Sequence, residues 1–145
     1  MITAERYHDI CTGHRVYGHE SKCAHLHGHN YRIHFKVAGD LDGIGRVIDF
    51  SIIKSKLCMW LEDNWDHKFL IYDKDPMGPV LKELDPEGVI IVPYNPTAEN
   101  IAKCLIEEVG PKQLEGTGCE LIEVKIEETA KCSATCYKDI ITIHQ

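Results

Sequence analysis

The chain has 145 residues, a formal net charge of −7 and seven cysteines. This length fits a single domain over residues 1–145. The acidic balance disfavours a nucleic-acid partner, because such binding depends on Lys and Arg side chains that neutralise phosphates. No stretch approaches the roughly 20 apolar residues that span a membrane, and the first residues resemble no signal peptide. Without a secretion signal, the cysteines are interpreted as reduced thiols, so we expect a cytoplasmic protein.

In the first half of the chain, the hydrophobic pattern predicts strands followed by a helix. Residues 31–37 alternate between apolar and charged or polar side chains, which is the period of a half-buried strand. Residues 46–50 are predicted to return as a second strand after a turn rich in Gly and Asp. Ser51 is then predicted to cap a helix that runs to about Asn64.

The second half begins with an irregular region and returns to strands. A short helix is predicted over residues 80–84 and a short strand over residues 89–92. Thr97 is predicted to start a second long helix, which Gly110-Pro111 ends. One strand follows from Ile122, and a last one covers roughly residues 135–143. The order predicts an α+β fold, with two helices on one face of a largely antiparallel sheet.

Histidines are concentrated near the N-terminus, where six of the nine lie within the first 29 residues. His27 and His29 are two residues apart, so in an extended chain they project to the same face and can bind one ion together. Imidazole suits Zn²⁺, and a catalytic zinc keeps three protein ligands and one open position. His14, at the end of an earlier strand that precedes residues 31–37, is the natural third ligand.

Three residues separate Cys23 from His27, and this spacing leaves two roles open for the cysteine. It could be a fourth ligand of a closed, structural zinc site. Alternatively, a thiol near a metal and a cationic group tends to have a lowered pKa, which suits a general base or nucleophile. The second role is favoured, because a closed site would have no chemistry left.

Three carboxylate and imidazole groups are further candidates for chemistry. Asp66 is adjacent to His67, and such a pair can carry protons near neutral pH, although adjacent pairs of this kind are common by chance. Glu128 follows Ile126 at the two-residue spacing of the apolar side chains of its strand, so it is predicted to lie on the apolar face. A buried carboxylate needs partners. The amino-pyrimidinone edge of a pterin is one such partner, and a side chain turned to solvent is the alternative.

Taken together, these residues resemble the 6-pyruvoyl-tetrahydropterin synthase and 6-carboxytetrahydropterin synthase family, nearly end to end. The similar segments are His14-Arg15, His27-Gly28-His29-Asn30-Tyr31, Arg46-Val47-Ile48-Asp49-Phe50, Asp66-His67, Pro96-Thr97-Ala98-Glu99-Asn100 and Glu128-Thr129. The spacing from Cys23 to His27 is similar to that of the bacterial branch that makes 6-carboxytetrahydropterin in 7-deazaguanine (queuosine) biosynthesis. Residues 72–92 look like an insertion relative to shorter bacterial members, one that could alter pocket access or assembly.

The resemblance implies a tunnelling fold (T-fold), in which subunits join their sheets into an oligomeric barrel. It implies a homo-oligomer, a hexamer built as a dimer of trimers, with active sites between subunits. Open strand edges in one small sheet fit this expectation, because edges are usually paired or protected.

The resemblance also implies a zinc-dependent lyase with 7,8-dihydroneopterin triphosphate as its substrate. His14, His27 and His29 would bind zinc. Cys23, Asp66 and His67 would be catalytic, and the pterin would be bound by Glu128 with help from Thr97 and Glu99. The products of the carboxy-forming branch are 6-carboxy-5,6,7,8-tetrahydropterin, acetaldehyde and triphosphate. A pyruvoyl-forming or aldolase-like enzyme on the same fold, and a structural zinc module without activity, remain alternatives.

Overall fold

The computed structural model describes residues 1–139, in which six strands form one mixed sheet with the order β4-β3-β1-β2-β5-β6. The strands are β1 (Thr3–His14), β2 (His27–Ala38), β3 (Phe69–Tyr72), β4 (Val89–Val92), β5 (Glu120–Glu127) and β6 (Ser133–Tyr137). β1, β2, β5 and β6 are antiparallel neighbours, whereas β3 runs parallel to both β1 and β4. The α+β prediction is confirmed, and the two parallel pairings make the sheet mixed.

Two long helices and one short helix accompany the sheet. Helix α1 covers residues 50–64 and α3 covers residues 98–113, and each contains a π-helical stretch, Lys54–Cys58 and Leu105–Val109 respectively. Helix α2 is Gly78–Leu84, between β3 and β4. A 3₁₀ turn, Lys22–Ala24, lies in the connection from β1 to β2. None of the helices within residues 1–139 has the length and apolar character needed to cross a bilayer.

The core lies between one face of the sheet and the two long helices. Alternate residues of β2, from Tyr31 to Val37, are buried, and the intervening ones are polar. They belong to one buried cluster with Leu57 of α1 and Leu105 of α3. At about 25 cal/mol per Å² of apolar area removed from water, such residues contribute most of the stabilising free energy. This packing fixes the face toward which the ends of β1 and β2 direct their side chains.

The predicted strand over residues 46–50 is wrong, because hydrogen bonds close a turn over residues 42–46 and α1 already begins at Phe50. Asp42 Oδ1 accepts hydrogen bonds from the backbone nitrogens of Ile44, at 3.0 Å, and Arg46, at 2.9 Å. Gly45 has a φ of +92°, which a non-glycine residue rarely adopts. The residue that caps α1 is Asp49, not Ser51, because its side chain accepts a hydrogen bond from the Ser51 nitrogen.

Two predicted element ends also differ from the structure. Gly110-Pro111 does not end α3, because the Gly110 nitrogen bonds to Leu105 O, five residues back. This wider turn accommodates Pro111, which has no N–H to donate. The last strand ends at Tyr137, and residues 140–143 of the predicted range lie outside the described residues. The sequence pattern also missed β3.

Candidate active site and metal centre

Three histidines converge where β1 ends and β2 begins. His14 is the direct cross-strand partner of His27, and His29 lies two residues further along β2 on the same face. One ring nitrogen of each histidine lies within 4.8 Å of the other two. The structure therefore brings together the three side chains that the sequence predicted as metal ligands.

Backbone carbonyl groups set the orientation of two of these rings. His14 Nδ1 lies 2.6 Å from Pro96 O, and His27 Nδ1 lies 2.8 Å from His25 O. Since a carbonyl oxygen only accepts, each Nδ1 carries a proton, and in the neutral imidazole the lone pair is then on Nε2. The Nε2 atoms of all three histidines are buried and have no hydrogen-bond partner among residues 1–139.

Electrostatics also favours the neutral form that a metal requires. Burial lowers the pKa of His14 and is only partly opposed by its hydrogen bond to Pro96 O. Burial likewise lowers the pKa of His29, against the opposing charge of Glu128. Three imidazoles with buried, unpaired Nε2 atoms have, in their neutral form, the ligand chemistry of a catalytic zinc site with an open position.

Glu128 places a carboxylate beside the three histidines. Its Oε1 lies 3.6 Å from the Nε2 atoms of both His14 and His29. The backbone nitrogen of Glu128 donates to Cys132 O at 3.0 Å, which holds the residue immediately after β5. The side chain is 26% exposed, so an incoming ligand can reach it. The structure thus places Glu128, the residue predicted to bind the pterin, beside the three-histidine cluster.

Cys23 lies in the 3₁₀ turn of the β1–β2 connection and is partly buried. Its sulfur does not belong to the group of clustered ligand atoms found among residues 1–139, which comprises only the three histidines. Its backbone carbonyl accepts a hydrogen bond at 2.9 Å from the nitrogen of Val16, two residues after His14. The pKa of Tyr31 is raised first by burial and then by the charges of Glu128 and Cys23.

Tyr31 is a site residue that the sequence pattern identified only as core. It is 2% exposed, and its hydroxyl has no hydrogen-bond partner within the described residues. Its ring meets those of His29 and His14 nearly edge-on, with centroid distances of 5.4 and 5.9 Å. The sequence contained a signal for this position, because His27, His29 and Tyr31 are two residues apart and therefore lie on the same face of one strand.

The Asp66–His67 pair lies on the opposite face of the sheet. Asp66 Oδ2 is 2.9 Å from His67 Nδ1, and Asp66 Oδ1 accepts a hydrogen bond from the Cys11 nitrogen at 2.8 Å. Both residues line a cavity of about 580 Å³ together with Arg32 and Glu127, which are polar-face residues. The His67 imidazole is 78% exposed. Within one chain, the structure does not bring this pair together with the three histidines.

The start of α3 contributes to the site indirectly. Thr97 caps the helix by accepting a hydrogen bond from the Asn100 nitrogen at 3.1 Å, as predicted. The preceding residue, Pro96, supplies the carbonyl that orients His14. Glu99 is exposed in the first turn of α3. Thr97 therefore adjoins the residue whose carbonyl orients His14, whereas Glu99 faces solvent.

Solved structures with the same architecture define the class of protein. An uncharacterized protein from Wolinella succinogenes superposes with a TM-score of 0.82 at 24% identity, covering 95% of this chain and 98% of that one. The 6-pyruvoyl tetrahydropterin synthase of Caenorhabditis elegans superposes with a TM-score of 0.68 at 25% identity, covering 95% and 96%. The chain therefore has the tunnelling fold, as predicted.

Sequence comparison then gives the family. The family model described as 6-pyruvoyl tetrahydropterin synthase matches residues 3–139. A protein of Rickettsia felis named 6-carboxy-5,6,7,8-tetrahydropterin synthase is 36% identical over 134 residues, 91% of this chain and 97% of that protein. An Aquifex aeolicus protein of the same name is 34% identical over 128 residues, 82% of this chain and 77% of that protein. The chain belongs to the 6-pyruvoyl tetrahydropterin synthase family, which confirms the resemblance and the expectation of an enzyme.

Proposed function

We propose that the chain is a zinc-dependent lyase that converts 7,8-dihydroneopterin triphosphate and water to 6-carboxy-5,6,7,8-tetrahydropterin, acetaldehyde and triphosphate. The observation that carries this proposal is the convergence of three buried, unpaired Nε2 atoms beside the Glu128 carboxylate. The names of the Rickettsia and Aquifex relatives support the product. The pathway would be 7-deazaguanine biosynthesis.

His14, His27 and His29 would hold the zinc ion through Nε2. When bound, the ion acts as a Lewis acid that acidifies hydroxyl groups of the substrate side chain. The protein contributes the orientation of the rings, through the carbonyl groups of Pro96 and His25. Loss of such outer partners typically costs about 10- to 100-fold in metal affinity or activity.

Glu128 would bind the pterin ring. A carboxylate accepts two hydrogen bonds from adjacent N–H groups, and the amino-pyrimidinone edge of a pterin offers such a pair. The Glu128 carboxylate is partly exposed and adjoins the three histidines, so a ring bound there has its side chain near the metal ligands. Thr97 and Glu99, at the start of α3, would assist in binding the substrate.

Cys23 would remove a proton from the substrate side chain as a thiolate. Its position supports this role, because its sulfur is outside the ligand group while its backbone carbonyl is bonded to the nitrogen of Val16, two residues after His14. A general base must lie within hydrogen-bond reach of its substrate, not of the metal.

Asp66 and His67 would relay protons in a site shared by two subunits. They lie across the sheet from the three histidines of their own chain, and the His67 ring is largely exposed. A second copy could cover that ring and place it in a neighbouring active site. The sheet ends in two edge strands, β4 and β6, and such edges are usually paired or protected. A hexamer built as a dimer of trimers would cover the His67 ring with a second copy and would also pair or protect the edge strands.

The decisive experiment is mass spectrometry of the products formed when zinc-loaded protein meets 7,8-dihydroneopterin triphosphate. We expect carboxytetrahydropterin with an equal amount of acetaldehyde. The Cys23→Ala variant should form neither product while retaining zinc. A pyruvoyl product would keep the site and assign the chain to the branch named in the family model. Absence of turnover, with zinc lost from Cys23→Ala, would instead identify a structural four-ligand site.

A further inference from the structure

We propose that Arg15 and Asp75 are positioning residues, which together hold the Cys23 turn against the three-histidine centre. The inference rests on the proposed function, because it takes Cys23 as the base. It also gives a role to the segment between β3 and β4, where Asp75 lies.

The guanidinium of Arg15 joins two separate parts of the chain. Its Nε donates to Asp75 Oδ2 at 2.7 Å, and its Nη1 donates to Ala24 O at 2.9 Å. Ala24 follows Cys23 in the 3₁₀ turn. The rigid fork of a guanidinium can make both bonds at once, whereas the ammonium of a lysine is a single point of contact. Arg15 therefore fixes the Cys23 turn relative to Asp75.

Asp75 is held in place by its own turn. Its side chain is 0% exposed, its Oδ1 accepts from the Met77 nitrogen at 2.9 Å, and its nitrogen donates to Tyr72 O at 3.0 Å. A buried carboxylate is costly unless it is paired and hydrogen-bonded, and Arg15 supplies the charge partner. Because Asp75 is buried and hydrogen-bonded, its carboxylate holds the Arg15 guanidinium in a defined position.

The connection from β1 to β2 is also attached to the rest of the chain near its start, at Tyr17, and this attachment does not involve Arg15 or Asp75. The side-chain amide of Asn95 accepts from the Tyr17 nitrogen at 3.0 Å and donates to Tyr17 O at 2.8 Å. The backbone of the connection therefore remains held near Tyr17 when Arg15 is altered. The part that carries Cys23 has one backbone bond to this end, from the Val16 nitrogen to Cys23 O at 2.9 Å. Within residues 1–139, the Arg15 guanidinium adds the only side-chain hydrogen bond to the turn residues 22–24, and it ties the turn to Asp75.

The test compares Arg15→Lys, Asp75→Asn and the double variant with an Arg46→Lys control. Arg15→Lys keeps the charge that compensates Asp75, so it tests geometry without leaving a buried carboxylate unpaired. Arg46 also pairs with aspartates, Asp42 and Asp49, but in an exposed turn away from the site. The measurements are kcat, KM, zinc content and the alkylation rate of individual cysteines by peptide mass spectrometry.

We expect kcat to fall about 10- to 100-fold in the Arg15 and Asp75 variants, because a misplacement of about 1 Å can cost this much. KM and zinc content should be unchanged, and Arg46→Lys should match the wild type. The double variant should be no slower than the slower single one, since both changes break one unit. Alkylation of Cys23 should accelerate several-fold, while alkylation of Cys58, which is 0% exposed in α1, should not change.

Two results would overturn the inference. A raised KM with an unchanged kcat would mean that Arg15 binds substrate directly. Equal acceleration of alkylation at Cys23 and Cys58 would mean that the pair only stabilises the fold. If the wild-type protein makes no product, the proposed function fails, and the alkylation rates still decide whether Arg15 and Asp75 position Cys23.

Discussion

The two faces of the sheet, near the junction of β1 and β2, carry histidines with different partners. On the helix-covered face, His14 is 1% exposed and is oriented by a carbonyl oxygen. On the polar face, the His67 ring is 78% exposed and is oriented by the Asp66 carboxylate. A carbonyl partner leaves a neutral imidazole with a free lone pair, which suits ligation. A carboxylate partner compensates the positive charge of a ring that carries protons. The partner and the burial of each histidine therefore support the ligand role proposed for His14 and the proton-carrier role proposed for His67.

The largest expected effect comes from removing a ligand on the buried face. His27→Ala should lose zinc, measured by metal analysis after dialysis, and should reduce kcat/KM by on the order of 1000-fold, because several kcal/mol of Lewis-acid stabilisation are lost. The neighbouring exposed residue provides a matched control, since His25→Ala leaves the backbone carbonyl that orients His27. Retention of zinc by His27→Ala would contradict the assigned ligand set.

Altering the polar face should reduce activity without releasing the metal. His67 has a φ of +61°, so His67→Asn is the suitable change, because asparagine tolerates this left-handed conformation. We expect full zinc content and about a 100-fold loss of kcat, the lower range for a general acid–base group. Mixing His67→Asn with Cys23→Ala subunits during refolding should restore part of the activity. No recovery in the mixture would mean that each active site uses a single chain.

The two faces should also differ in the pH range where each loses stability. Burial lowers the folded pKa of His14 and His29 below the ordinary value of 6.5. The stability of the metal-free protein is therefore fully present above that value and decreases as the pH falls through the folded pKa. For Asp66, burial opposes the shift, but hydrogen bonds from Cys11 and His67 lower its pKa below 3.8. The stability that Asp66 contributes is therefore lost only at a more acidic pH than the stability that depends on His14 and His29.

This difference can be measured by urea unfolding of metal-free protein at about pH 7.5 and about pH 5.5. We expect a lower midpoint at the acidic pH, and a smaller difference when His14 and His29 are both replaced by glutamine. Asp66→Asn should leave the difference unchanged. An equal midpoint at both pH values in the wild type would contradict the depressed pKa of the two histidines.

The smallest effect is expected at Tyr31. Because its buried hydroxyl has no partner within residues 1–139, Tyr31→Phe should leave the free energy of unfolding of the metal-free protein unchanged or raise it by about 1 kcal/mol. Thermal unfolding followed by circular dichroism measures this change. A clear loss of stability would show that the hydroxyl makes a hydrogen bond in the assembled protein.

The sequence predicted those features whose physical cause is local. The alternation over residues 31–37 and the capping of α3 by Thr97 need only neighbouring residues, and both are confirmed. It failed where two local causes competed. Residues 46–50 have the pattern of a strand, but the side chain of Asp42 hydrogen-bonds the backbone and closes a turn instead.

Features that depend on distant contacts could not be predicted from the pattern. The four apolar residues of β3 form too short a run to distinguish strand from helix, and only pairing with β1 and β4 decides the matter. Adjacency identified Asp66–His67 as a pair but gave no information about its face of the sheet. The contact between Arg15 and Asp75 joins residues 60 positions apart, which no spacing rule anticipates.

The hydrogen bond from His14 to Pro96 O has a consequence for the order of assembly, because these residues are 82 positions apart. In an unfolded chain only His27 and His29 are close together, so the chain would bind the ion weakly, through two ligands. The third ligand is oriented only after α3 has docked onto the sheet. If zinc binds to these histidines as proposed, it binds late in folding and should slow unfolding much more than it accelerates refolding.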